Sequence, residues 1–225
     1  MICLSLEPST TGEALGMMRQ AFSMADMVEL RLDAFRELDL DRLMANVAGP
    51  VLVTNRSRTE GGRFEGTERE RCYLIDRAMA LGADYADIEL STDAGLLEDL
   101  VNRARGGRTG TRVILSFHDF EKTPSLEELL AIAGKAFDRG AHMAKLAVMA
   151  RTMEDNITIL NLVSLLRKRK LPVAAFCMGE RGRISRLAAP LFGSAITFAS
   201  LERGGESAPG QFTVEEVRRF QEILT

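Results

Sequence analysis

The chain has 225 residues, of which 46% are hydrophobic and 27% charged, and a formal net charge of −3 at pH 7. This balance is typical of a globular protein and gives no reason to expect nucleic acid or an anionic membrane as a partner. The three cysteines, Cys3, Cys72 and Cys177, form neither a CxxC pair nor a metal-ligand spacing, and no apolar stretch is long enough to span a bilayer. Since the N-terminus does not resemble a signal peptide, we expect a reduced, cytoplasmic protein.

Short apolar runs alternate with longer amphipathic segments along the chain. The apolar runs predict eight strands, at residues 2–6, 27–32, 51–54, 85–90, 112–117, 142–148, 173–177 and 195–199. Helical patterns lie between them, for example at residues 11–24, 67–81, 125–139, 154–169 and 213–224.

Eight strand and helix units in strict alternation predict one (β/α)₈ TIM barrel domain over residues 1–225. Ser125 with Glu128 and Thr213 with Glu216 fit capping boxes, which supports two of the helices. An open doubly wound sheet is the alternative, but it usually has fewer strands and a glycine-rich first turn. No GxGxxG or Walker loop follows the first strand.

Lys145 stands out because it lies inside the apolar run 142–149, which otherwise reads as a buried strand. Burial removes most of the hydration of an ammonium group and favours the neutral amine, which is the nucleophile. Lys145 is therefore a candidate for forming a Schiff base with a carbonyl substrate. The alternative is a structural lysine at an edge strand, or one whose amine reaches solvent from a strand end.

Charged and polar side chains share one face on five of the predicted strands. Alternation along each strand puts together Glu29, Arg31 and Asp33, then Thr54 and Arg56, then Asp87 and Glu89, then Ser116 and His118, and finally Lys145. The helix-facing side of a barrel strand must be apolar, so these groups are predicted to point inward. Active sites of this fold lie at the C-terminal ends of the strands, which favours an enzyme.

His118 ends the fifth strand, next to the strand that carries Lys145. An imidazole titrates near neutrality, so it can both take and return a proton as a general acid and base. A loop histidine with a structural hydrogen bond is the alternative. His142 lies one position out of phase with Lys145 and is given no catalytic role.

Three loops that follow strands carry further candidate residues for substrate binding. Arg56 follows the third strand and offers a bidentate clamp for a carboxylate, and Arg186 lies at the opening of the helix after the seventh strand. Residues 204–211 after the eighth strand have the small, polar composition of a lid, although a plain surface loop has the same composition.

The motifs, taken in order, resemble the type I 3-dehydroquinate dehydratases, the Schiff-base dehydroquinases of the shikimate pathway. The matching segments are residues 29–33 (ELRLD), 54–56 (TNR) with 60–62 (EGG), 116–120 (SFHDF), 145–149 (KLAVM), 178–179 (MG) with 185–186 (SR), and 207–211 (SAPGQ). They extend over nearly the whole chain, and the ordered set is far more specific than any one segment.

The resemblance implies a (β/α)₈ barrel that dehydrates 3-dehydroquinate during aromatic amino acid biosynthesis. It implies Lys145 as the imine-forming lysine, His118 as the general acid and base, and Glu60 as the acidic partner of that histidine. The substrate-binding positions that it implies are Glu29, Arg31, Arg56, Arg186, Ser207 and Gln211. It implies no metal or other cofactor, and a homodimer. Many members have an N-terminal hairpin before the first barrel strand, and we expect this barrel to lack it.

Three other functions fit parts of the pattern. A class I aldolase also uses a barrel lysine but breaks a C–C bond, and a non-catalytic barrel would only bind carboxylates. A thiol hydrolase built on Cys177 and His118 is a weaker alternative, because buried cysteines are usually inert.

Overall fold

The computed structural model describes residues 1–106 and 110–224. Its strands are β1 (Ile2–Leu6), β2 (Met27–Arg31), β3 (Val51–Thr54), β4 (Tyr85–Glu89), β5 (Arg112–Asp119), β6 (Met143–Met149), β7 (Val173–Met178), β8 (Thr197–Ser200) and β9 (Phe212–Thr213). Its α-helices are α1 (Thr11–Met24), α2 (Leu40–Met44), α3 (Glu68–Ala80), α4 (Ala94–Arg105), α5 (Leu126–Asp138), α6 (Glu154–Lys168), α7 (Arg183–Phe192) and α8 (Val214–Leu224). Short 3₁₀ helices lie at Leu32–Ala34, Arg58–Glu60 and Glu180–Gly182.

All pairings in the sheet are parallel, in the order β7-β6-β5-β4-β3-β2-β1-β8-β9, so β1 to β7 pair in chain order and β8 returns to β1. The edges at β7 and β8 are bridged at their N-terminal ends, where Ala195 N–H donates to the Val173 carbonyl at 2.8 Å. This curled parallel sheet with helices on its outside confirms the predicted barrel fold.

The predicted elements are present with bounds that agree to within two residues. The predicted capping boxes form, since Ser125 and Thr213 exchange hydrogen bonds with Glu128 and Glu216. The alternation predicted helices at the places of α2, α4 and α7 without giving their bounds, and Asp93 caps α4 through its carboxylate. In the part of the chain that the structure describes, no helix is long and apolar enough to cross a membrane.

Inward-facing side chains stack in layers because side chains alternate along every strand, and two successive layers differ in polarity. Toward the N-terminal ends the inward residues are apolar, and they are Cys3, Met27, Leu52, Tyr85, Ile114 and Met143. Two residues further along, the inward residues are polar, and they are Ser5, Glu29, Thr54, Asp87, Ser116 and Lys145. The apolar layer closes the bottom of the barrel, and the polar layer forms the floor of a site.

The residues immediately before β2, β4 and β6 each accept a hydrogen bond from a backbone N–H of the preceding strand. The carboxylate of Asp26 accepts from Ile2 N–H at 2.8 Å, and that of Asp84 accepts from Val51 N–H at 2.8 Å. Before β6 the same position is His142, whose Nδ1 accepts from Val113 N–H at 3.0 Å. Partial burial lowers the pKa of His142, so this nitrogen remains an acceptor at neutral pH. The structure therefore gives His142 a structural contact.

His142→Ala leaves the Val113 N–H without its acceptor. We expect the free energy of unfolding at neutral pH to fall by about 1 to 2 kcal/mol, as measured by urea denaturation. His142→Asp, which copies the acceptor at Asp26 and Asp84, should recover most of this loss. Equal losses in both variants would contradict the assignment of His142 as a strand cap.

Candidate active site

One cavity of about 150 Å³ lies at the C-terminal ends of the strands. The nine residues that the resemblance assigns to the site all line it, and they are Glu29, Arg31, Arg56, Glu60, His118, Lys145, Arg186, Ser207 and Gln211. Apolar side chains complete the wall, among them Phe120, Phe176, Met178 and Phe198. The cavity can enclose a small, polar molecule with an anionic group.

Lys145 is buried on β6, with a relative exposure of 5%. Its Nζ lies 2.9 Å from Asp87 Oδ2 and 3.5 Å from Glu29 Oε1, and 4.2 Å from the centre of the Phe198 ring. Two carboxylates and an aromatic face therefore offset the cost of burying a cation here. The same surroundings stabilise any other cation formed at this nitrogen.

Asp87 on β4 is the centre of the charged layer. Its carboxylate accepts from Lys145 at 2.9 Å and from the Ser116 hydroxyl at 2.6 Å, and Arg56 Nη2 lies 2.8 Å away. Burial alone would raise the pKa of Asp87, but Arg56 and Lys145 hold it well below its usual range. Asp87 is therefore ionised throughout the physiological range.

Glu29 on β2 is ionised for the same reason. Burial would raise its pKa, but Lys145 and Arg31 lower it below the ordinary value. The hydroxyls of Ser5 and Thr54 donate to its two oxygens at 2.6 and 2.7 Å. These bonds fix the carboxylate against the amine.

Glu60 and His118 form a pair at the mouth of the cavity. His118 Nδ1 lies 2.8 Å from Glu60 Oε2, and the hydroxyl of Ser91 donates to Glu60 Oε1. Burial raises the pKa of Glu60 to about 7 although the bond from Ser91 lowers it. Burial and the cations Arg56 and Lys145 hold the pKa of His118 well below its ordinary value. His118 is therefore neutral at pH 7, as a general base must be.

Arg31 and Arg56 already have carboxylate partners. Arg31 contacts Asp33 through two nitrogens at 2.8 and 2.9 Å and Glu7 at 3.0 Å. Arg56 lies 2.8 Å from Asp87 and 3.3 Å from Glu89. The Asp33 carboxylate also accepts from the Arg56 N–H at 3.0 Å, so it ties the loop after β3 to the end of β2.

Arg186 is the buried cation without such a partner among the described residues. Its Nε has no hydrogen-bond partner, and Nη2 donates to the Pro209 carbonyl at 3.0 Å. Burial lowers the pKa of Arg186 to about 10, which leaves it charged at neutral pH. An unpaired guanidinium in a cavity is a ready binding point for an anion.

The loop at residues 207–211 closes over Arg186. Ser207 donates to Gln211 Oε1 through its N–H at 2.9 Å and its hydroxyl at 3.2 Å, and Gly179 N–H donates to the Pro209 carbonyl at 3.2 Å. A Cβ at Gly210 would lie 2.5 Å from the Gly179 carbonyl oxygen, and its φ is +78°. Only glycine lets the two loops approach this closely.

Sequence reasoning missed some contacts and proposed one weak alternative. Asp87 was predicted to point inward but was given no role, and Ser91 and Phe198 were not considered. Asp87 had a signal, since it shares the inward face with Glu89, whereas nothing local marks Ser91. Burial raises the pKa of the Cys177 thiol to about 11, which argues against a thiolate nucleophile there.

Comparison with known proteins places the chain in a family. The family model described as type I 3-dehydroquinase matches residues 2–225. The chain belongs to the type I 3-dehydroquinase family.

The 3-dehydroquinate dehydratase of Methanosarcina barkeri is 36% identical over 222 residues, covering 94% of this chain and 91% of the relative. The structure of the 3-dehydroquinate dehydratase of Geobacillus kaustophilus matches with a TM-score of 0.90 at 32% identity, covering 99% of this chain and 90% of that one. The structure of the type I 3-dehydroquinate dehydratase of Clostridium difficile, with covalently modified comenic acid, matches with a TM-score of 0.89 at 28% identity. The match covers 99% of this chain and 91% of that one.

Asp87→Asn removes the anion that separates two buried cations of this type I 3-dehydroquinase. We expect the free energy of unfolding to fall by about 3 kcal/mol, as measured by urea denaturation. Asp76→Asn is the matched control, because Asp76 pairs with Arg103 at 2.7 Å on the surface, and it should cost less than about 1 kcal/mol. Similar losses in the two variants would show that the charged layer does not depend on Asp87.

Proposed function

We propose that this chain converts 3-dehydroquinate to 3-dehydroshikimate and water through a Schiff base on Lys145. The observation that carries this proposal is the meeting of three groups in one cavity. A buried amine, a carboxylate–imidazole pair and an unpaired guanidinium all line it. The amine would react with the ketone of 3-dehydroquinate, and the carboxylate–imidazole pair would remove its proton. The guanidinium would bind its carboxylate.

Imine formation solves the main chemical difficulty, since a proton next to a ketone is weakly acidic at neutral pH. The Lys145 ammonium first releases a proton, and its neutral Nζ attacks the ketone carbon. The carbinolamine then takes up a proton and loses water to give an iminium, which is a stronger electron sink. The iminium nitrogen stays positive. Asp87 and Glu29, at 2.9 and 3.5 Å from Nζ, therefore also stabilise the intermediate.

His118 supplies the proton transfers. As a neutral base it takes the α proton, and the electron pair left behind forms an enamine. The enamine expels the β hydroxyl, which leaves as water with the proton that His118 has just accepted. One histidine serves both steps when hydrogen and hydroxyl leave from the same face, a syn elimination. Water then hydrolyses the product imine and frees Lys145, so the net change is the loss of one water and calls for no cofactor.

The remaining residues are proposed to bind the substrate. The carboxylate is assigned to Arg186, because Arg31 and Arg56 are already paired with carboxylates of the chain. Ser207 and Gln211 on the closing loop, with Glu29, Arg31 and Arg56 in the floor, are assigned to the ring hydroxyls and the reacting ketone. Ser207 N–H donates to Gln211 Oε1 at 2.9 Å, and contact of either side chain with the substrate would replace this hydrogen bond.

Reduction with borohydride during turnover tests the central step. With 3-dehydroquinate and borohydride, mass spectrometry should show one reduced adduct, and peptide mapping should place it on Lys145. Lys145→Ala should remove the adduct and lower kcat by at least about 1,000-fold while circular dichroism stays that of the wild type.

His118→Ala is the matched control for this experiment. It should still form the adduct but turn over very slowly, because imine formation precedes the proton abstraction. A folded wild-type protein that forms neither adduct nor 3-dehydroshikimate would reject the dehydratase proposal. Cleavage of a C–C bond in place of dehydration would indicate an aldolase.

We also propose that the protein is a cytoplasmic homodimer. Apolar side chains are exposed on the adjacent helices α6 and α7, among them Ile157 at 59%, Ile184 at 51% and Phe192 at 43%. Burying exposed apolar side chains is favourable, and a second copy of the chain is the proposed partner. The three cysteines are free and buried, which is compatible with a reducing compartment.

The dimer has a direct test in solution. Sedimentation equilibrium should give twice the chain mass, and Ile157→Glu with Ile184→Glu should give the monomer. A monomeric wild-type protein at micromolar concentration would contradict the proposal.

A further inference from the structure

Ser91 is a contact of the catalytic pair that neither the sequence motifs nor the family description assigns. We propose that Ser91 is a positioning residue for His118, because its hydroxyl holds Glu60 in the ionised form that receives the proton of His118 Nδ1. The proposal rests on the proposed function, in which His118 is the base.

The position of Ser91 is fixed by the turn that carries it. Ser91 follows β4, and the residues on either side are held by backbone bonds. Leu90 N–H donates to the Ser116 carbonyl at 2.8 Å, and Thr92 N–H donates to the Glu89 carbonyl at 3.0 Å. The Thr92 hydroxyl also accepts from Arg71 at 3.0 Å. The hydroxyl of Ser91 is thus presented to Glu60 by an ordered turn, although its side chain is at the surface.

Glu60 is held from two sides. It ends the 3₁₀ helix Arg58–Glu60, and Gly61 follows with a φ of +79° that reverses the chain. One carboxylate oxygen accepts from Ser91 and the other lies 2.8 Å from His118 Nδ1. Ser91, Glu60 and His118 therefore form a chain of hydroxyl, carboxylate and imidazole that ends in the cavity.

The charge of Glu60 decides which nitrogen of His118 carries the proton. An ionised Glu60 accepts the Nδ1 proton, which leaves the lone pair of Nε2 free to take a proton from the substrate. A protonated Glu60 donates to Nδ1 instead, and the imidazole proton then sits on Nε2. That tautomer cannot act as a base at the substrate. The protonation state of Glu60 thus determines whether His118 can act as a base. The hydrogen bond from Ser91 favours the ionised carboxylate, with which His118 is active.

The charged groups around Glu60 make this contribution significant. Asp87 and Glu89 on β4 oppose its ionisation, Arg56 after β3 favours it, and His118 contacts it from β5. Burial raises the pKa of Glu60 to about 7 even with the bond from Ser91 in place. Without that bond the carboxyl becomes a weaker acid still. Most of the enzyme would then hold the inactive tautomer at neutral pH.

The pH profile of kcat/KM tests this inference. In the wild type kcat/KM should fall as pH drops through about 7, because Glu60 takes up a proton. In Ser91→Ala this acidic limb should move to higher pH by about one unit, since a bond to a charged group is lost. At pH values above both limbs the two enzymes should agree within about twofold. Ser91→Thr, which keeps the hydroxyl, should restore the wild-type limb.

Ser57→Ala is the matched control. It also removes an exposed serine hydroxyl, but the hydroxyl of Ser57 contacts Thr59 in the same loop. It should leave the profile unchanged. An identical limb in Ser91→Ala and wild type would overturn the proposal, and so would a uniform loss of activity at every pH, which is the sign of a merely structural residue.

Nitrogen NMR of ¹⁵N-histidine protein gives a reading that does not depend on turnover. The chain has two histidines, so a His142→Asp background leaves one ring to follow. The shift from the Nδ1–H to the Nε2–H tautomer of His118 should occur at higher pH in Ser91→Ala. If the wild type proves to have no dehydratase activity, the proposed function fails while this titration still decides the role of Ser91. An unchanged titration would show that Ser91 does not act on the pair.

Discussion

The burial of opposite charges in a single layer of the barrel is the constraint on which the site depends. Asp87 lies within 3 Å of both Arg56 and Lys145, and each of these groups alone would be costly inside a protein. Each charge is tolerated because the others are present. Lys145 Nζ is therefore held in an ion pair that can stabilise an iminium as well as an ammonium.

Two ionisable groups of the cavity lack an oppositely charged partner of this kind, and they indicate where a ligand would bind. Arg186 is buried, charged and without a carboxylate partner in the described part of the chain, and its neighbours are the Phe176 ring and the Pro209 carbonyl. Glu60 is a half-buried carboxyl whose hydrogen-bond partners are the neutral His118 imidazole and the Ser91 hydroxyl. In a cavity where the other charges are balanced, these two groups are the ones whose state a substrate or a proton would change.

Stability and chemistry are separated along the strands. The N-terminal ends carry an apolar inner layer and the strand caps at Asp26, Asp84 and His142, and the C-terminal ends carry the charges. Because alternation fixes which residues point inward, a step of two residues passes from one layer to the other. The costly charged layer thus rests on a packed floor, which excludes water from beneath Lys145.

The sequence by itself determined the strand and helix pattern, the inward face of each strand and the ordered motifs, since these follow from local alternation and residue type. It therefore predicted the barrel, Lys145 and His118 from the residues, and Glu60 through the family resemblance. Contacts between distant segments could not be read locally. Only the tertiary structure decided that Arg56 is paired while Arg186 is not, that Asp87 joins two cations, and that Ser91 reaches Glu60, because these depend on register and loop geometry across strands far apart in the chain.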